Sequence, residues 1–138
     1  MKKIFSTLFL LFVIVFTIEA QVLTNPPQAN FDEEFEIIFD AGKGNKALFG
    51  YQDDVFFHAG LITSTSQSAS DWKFVIGDWG KPDPELKIES LGGDKYRIRI
   101  NWAERFGLDP EVEVQQLALV FRDAKGELVA KTDKDSDF

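Results

Sequence analysis

Apolar and polar residues alternate in this chain, in short runs separated by turn signals. That pattern restricts the fold more than any other feature. Phe35, Ile37 and Phe39 occupy every second position, as do Tyr96, Ile98 and Ile100 between Arg97 and Arg99, and Leu117, Leu119 and Phe121 further on. A period of two sends successive side chains to opposite faces of a strand, so each run carries one apolar and one polar face. Strands are expected over 22–24, 35–40, 54–60, 72–76, 86–90, 96–100, 114–122 and 127–131. Between them lie Asn25-Pro26-Pro27, a glycine-rich segment over 41–50, a Ser/Thr-rich segment over 61–71, the Gly77–Pro82 connection, Leu91-Gly92-Gly93-Asp94 and Asp123-Ala124-Lys125-Gly126. These are turn and loop chemistries. The one helical expectation is a turn over 103–108, ahead of Asp109-Pro110. Short strands at regular spacing with one wet face point to an all-β fold. An immunoglobulin-like antiparallel β-sandwich is favoured over a closed barrel.

The first 20 residues stand apart. Met1-Lys2-Lys3 is basic, residues 4–18 are almost wholly apolar, and Ala20 precedes Gln21. This is the layout of a cleaved secretory signal peptide, and the apolar run is shorter than the ~20 residues of a spanning helix. The expected domain is therefore 21–138, secreted or periplasmic, with no membrane insertion of the mature chain. The sequence contains no Cys, so neither a disulfide framework nor a lipid on a processed N-terminal Cys is available. The 14 Phe and 3 Trp supply core volume instead. The segment 1–20 carries Lys2, Lys3 and Glu19, a net +1, so its removal takes the charge from −8 to −9. A domain this acidic is poorly matched to nucleic acid or anionic lipid, both of which attract basic surfaces.

Most motif matches carry little chemistry. Gly42-Lys43-Gly44-Asn45-Lys46-Ala47 fits a dinucleotide-binding loop, but the mechanism needs a following helix whose N-terminus meets the pyrophosphate. Asp133, Asp135 and Asp137 have the rhythm that opens a Ca²⁺ loop without its glycine or its distal Glu, and read as a solvated acidic tail. His58 is the sole histidine, and no G-x-S-x-G elbow offers it a nucleophile. No Asp or Glu is singled out for a two-carboxylate hydrolytic site. The chain is expected to have no catalytic residue, no metal and no cofactor.

The stretch 54–80 is different. It holds His58, Trp72 and Trp79 around a polar loop between two strands. If Val55 and Phe57 face the core, His58 lies on the outer face. Trp72 opens the next strand, and Trp79 sits in a glycine-flanked turn. Flat rings on an outer sheet face suit the C–H face of a pyranose, with neighbouring polar groups bonding its hydroxyls. The competing placement makes Trp72 an interior residue of the sandwich and His58 an ordinary strand residue.

At these residues a resemblance enters. Phe39-Asp40-Ala41 with Gly44-Asn45, then Asp54-Val55-Phe56-Phe57-His58-Ala59-Gly60, Trp72-Lys73, and Leu119-Val120-Phe121-Arg122-Asp123-Ala124-Lys125-Gly126 together resemble the N-terminal β-sandwich domain of secreted bacterial α-amylase-type proteins. The plan is similar to starch-binding modules of carbohydrate-binding families twenty-five and twenty-six. The resemblance implies non-catalytic α-glucan binding, with His58 and Trp72 as the platform, Trp79 as a third wall and Lys73 as a hydrogen-bond donor. It also implies a glycoside hydrolase as a partner. Phe56 and Phe57 stand where that strand often carries Tyr, which removes a hydroxyl. A structural or protein-interaction module of a secreted polysaccharide-utilisation protein is the alternative.

Overall fold

The computed structural model describes residues 21–138; the expected signal peptide lies outside the described residues. Eight strands form two four-stranded antiparallel sheets. In chain order they are β1 (Val22–Asn25), β2 (Glu34–Asp40), β3 (Phe56–Thr63), β4 (Lys73–Ile76), β5 (Glu89–Gly92), β6 (Lys95–Asn101), β7 (Val114–Arg122) and β8 (Val129–Ala130). One sheet runs β1-β2-β6-β5 and the other β4-β3-β7-β8. This order is A-B-E-D over C′-C-F-G, the strand plan of an immunoglobulin-like sandwich.

The alternation seen in the sequence sets the faces. Phe35, Ile37 and Phe39 of β2 and Tyr96 and Ile98 of β6 are buried from one side, Phe57 and Ala59 of β3 and Leu119 and Phe121 of β7 from the other. The sheets meet where Phe39 stacks on Phe121, ring centroids 4.2 Å apart and 12° from parallel. Leu48, from the long β2–β3 loop, is buried in the same core. The helical turn α1 (Trp102–Phe106) begins one residue earlier than expected because Asn101 caps it, its side chain accepting from the Glu104 N–H. Trp102 at its start is fully buried and meets Phe57 edge-on at 5.6 Å. It is the interior tryptophan of this sandwich.

Three elements depart from expectation. The strand expected over 86–90 begins only at Glu89 and runs to Gly92, behind a 3-10 turn at Pro84–Leu86. β3 continues through Thr63, where a polar loop was expected from Leu61 onward. Leu61, Ile62 and Thr63 are all buried there. Thr63 keeps its polar atoms satisfied locally, its hydroxyl meeting that of Thr65 and its N–H donating to Ser66 Oγ. The acidic tail is solvated as expected, with Asp133, Asp135 and Asp137 exposed, but its end is anchored. Phe138 exchanges backbone hydrogen bonds with Leu119 in both directions at 3.0 Å, so residues 132–138 fold back beside β7.

Candidate functional site

The outer faces of the two sheets are chemically opposite. On the β1-β2-β6-β5 sheet, charges pair off. Arg97 binds Glu89 through Nε at 2.9 Å and Nη2 at 2.8 Å, and Arg99 binds Glu36. The Glu36 carboxyl is held below its usual range, first by the Arg99 hydrogen bond and then by that of Asn25. On the β4-β3-β7-β8 sheet the outer face is aromatic.

Register explains which side chains reach that face. In β3, Phe57 and Ala59 point inward, so Phe56, His58, Gly60 and Ile62 point outward; they pair with Arg122, Val120, Ala118 and Gln116 of β7. His58 is thus an outer-face residue. Trp72 arrives there through an irregularity. Ala59 pairs with Ile76 and Leu61 with Lys73, so two steps on β3 oppose three on β4. This bulge contains Phe74 at φ 52°, a conformation uncommon for a bulky side chain. Because the side-chain period is two, one extra residue reverses every position beyond it. Without the bulge Trp72 would face the core. With it, the indole lies across Gly60, where a Cβ would come within 2.9 Å of Trp72 Cβ and Cε3.

Trp79 is placed by a different device. It is 51% exposed, in the loop between β4 and a short 3-10 turn at Pro84–Leu86. Its indole packs on Gly126 of the β7–β8 turn, where a Cβ would meet Trp79 Nε1 at 2.7 Å. The loop and the turn are joined by Arg122. Although β7 presents it on the outer face, Arg122 is fully buried, its guanidinium 5.6 Å from the Trp79 ring centroid and 5.7 Å from that of Phe56. It donates to four carbonyls, those of Asp123 and Ala124 in the turn and of Asp78 and Lys81 in the loop. Asp123 completes the turn, its carboxylate accepting from the N–H groups of Glu127 and Leu128. Burial alone would raise the Asp123 carboxyl, but these donors, with those of Lys125 and Gly126, hold it below its usual value.

The result is a corner of three rings. The imidazole of His58 lies 6.0 Å from Trp72 and 28° from parallel to it, and 5.2 Å from Trp79 and nearly perpendicular to it. Val120, Val129, Lys131 and Asp137 complete a concave space of about 350 Å³. His58 Nδ1 is buried on the side of Gly77 without a hydrogen-bond partner, which leaves Nε2 as the polar atom the ring can present. Burial first, and the charge of Arg122 second, hold the imidazole below its usual pKa, so it is neutral at pH 7.

Three of the four expected site residues, His58, Trp72 and Trp79, therefore converge. Lys73 does not join them. Its register partner is the inward-facing Leu61, so it leaves β4 on the face opposite the indole, and its ammonium pairs with Asp71 at 2.9 Å. The lysine at the rings is Lys131, which sequence reasoning missed along with Asp137 and Arg122. The only signal for Arg122 was a cation closing the apolar run Leu117–Phe121, two residues beyond Val120. Among the described residues, no three His, Asp or Glu side chains gather as a metal-binding group. Comparison of the sequence with protein-family models and with curated proteins gives no match.

Proposed function

We propose that this chain is a non-catalytic, exported sandwich that binds α-glucan on the outer face of the β4-β3-β7-β8 sheet, with His58, Trp72 and Trp79 as its platform. The observation that carries the reading is the ring corner itself. Two indoles bedded on glycines flank an imidazole, at angles that give a sugar one ring to stack on and another to abut. Lys131 and Asp137 line the same space, and neither has an ion-pair partner among the described residues. They can serve the hydroxyls of a neutral ligand as donor and acceptor. Among the described residues Asp137 is the one carboxylate lining the corner, whereas glycoside hydrolysis ordinarily uses two flanking the bond. Linkage to a glycoside hydrolase would raise avidity without new contacts.

A second reading has its own support. Phe74 and Val75 are about half exposed on the edge strand β4, a surface suited to contact with another protein. Electrophoresis through amylopectin gels separates the two. The glucan reading expects retardation of the wild type that is abolished in Trp72→Ala and Trp79→Ala and weakened in His58→Ala. Absence of retardation in amylopectin and in a panel of other glucans would leave the protein-contact reading standing.

A further inference from the structure

The ring corner is not the only concavity on its face. A second space of about 440 Å³ lies on the other side of Trp72 and shares Trp72, Lys131 and Asp137 with the first. Its remaining lining is mixed, with Ser68 and Ser70 from the β3–β4 loop, Gln116 of β7 and Ser136 of the folded-back tail set beside the apolar Ala69, Ala118 and Phe138. We propose that Trp72 divides one continuous glycan groove into two compartments, and that the second compartment holds the sugar units that follow those in the ring corner. The inference rests on the glucan reading and adds to it a preference for long chains over short ones.

Three observations carry it. The outer positions of β7 run Arg122, Val120, Ala118, Gln116, so the row opposite His58 and the row opposite Ile62 are four residues apart. At about 3.4 Å per residue this is ~14 Å, more than one pyranose ring covers. The small Ala118, paired with Gly60, keeps the strand surface low where Trp72 lies, and the indole borders both spaces. Finally, polar groups on the far side have capacity to spare. Among the described residues the Gln116 amide makes no side-chain hydrogen bond, while Ser68 and Ser70 bond to each other at 3.1 Å. That pair keeps further lone pairs and a donor for a sugar hydroxyl. The tail is a fixed wall, because Ser136 is tied to Thr132 through both hydroxyl and backbone, and Phe138 to Leu119.

The test is a tryptophan-fluorescence titration with maltotriose and maltoheptaose. The proteins are the wild type, a Ser70→Ala/Gln116→Ala double variant, and Trp79→Ala. Both positions of the double variant are exposed, so the fold is expected to survive; circular dichroism verifies it. The wild type should bind maltoheptaose at least tenfold more tightly than maltotriose. The double variant should reduce that ratio to about twofold while leaving maltotriose unchanged, and Trp79→Ala should weaken both ligands. Equal affinities in the wild type, or an undiminished ratio in the double variant, would overturn the second compartment and leave the ring corner intact. Binding of neither ligand would overturn the glucan reading and the groove together.

Discussion

Replacing Gly60 by alanine is the sharpest probe of the platform. Gly60 has a backbone open to any residue, so the effect is steric and local. The new Cβ would sit 2.9 Å from Trp72 Cβ and Cε3 and 3.3 Å from Cδ2. Ordinary carbon contacts begin at about 3.5 Å, so the indole must retreat by ~0.6 Å or more. Rotation about the side chain cannot achieve this, because one of the crowded atoms is Cβ itself; the backbone at Trp72, just ahead of β4, must move. Crowding of this kind costs about 1–3 kcal/mol. Removing a strand glycine returns about 0.5–1 kcal/mol through the unfolded chain. A net loss of ~0–2.5 kcal/mol should leave the fold intact. Binding suffers more clearly, since a displaced stacking partner forfeits about 0.5–1.5 kcal/mol, a two- to twelvefold loss of affinity. Urea denaturation gives the first quantity and gel retardation in amylopectin the second. The decisive measurement is the double-mutant cycle with Trp72→Gly, which removes both ring and Cβ. The Gly60→Ala penalty should disappear in that background, a coupling of about 1 kcal/mol or more. An equal penalty in both backgrounds would refute the contact between indole and glycine.

Arg122→Met removes a buried cation together with four hydrogen bonds to carbonyls; we expect a stability loss of about 2–4 kcal/mol by urea denaturation and loss of glucan retardation. Arg122→Lys should recover little of either, because an ammonium cannot reach loop and turn with the fixed fork of a guanidinium. The His58 pKa is lower in the folded chain than its unfolded value of 6.5, so below that pH the unfolded state binds the proton more readily. Stability should therefore fall as pH drops from 6.5 toward the folded pKa and level off below it, and His58→Gln should remove this part of the slope. A wild-type profile matched by His58→Gln across that window would show that the imidazole is not desolvated.

Much of the sandwich could be read from alternation because its cause is local. Phe35, Ile37 and Phe39, or Leu117, Leu119 and Phe121, declare their inner face without reference to the rest of the chain. The outward placement of His58 followed from the same rule applied to Val55 and Phe57. Trp72 and Lys73 could not be assigned this way. A bulge at Phe74 reverses parity in β4, and a count of residues does not reveal where a ladder gains one. Thr63 read as loop because its hydroxyl is polar, although local partners satisfy it inside the sheet. The burial of Arg122 could not be read at all, since the carbonyls it binds belong to the backbone and leave no trace in residue types.

That last feature has an implication for how such a surface can diverge. A clamp that recognises only peptide oxygens is indifferent to the side chains at residues 78, 81 and 124, so those positions can drift without disturbing the perch of Trp79. The number of residues in the loop is another matter, because a deletion or insertion would carry the gripped oxygens out of reach. Selection on this loop should therefore act on its length, its single indole and the left-handed glycines Gly77 and Gly80, with the other letters left free to tune what the neighbouring rings meet.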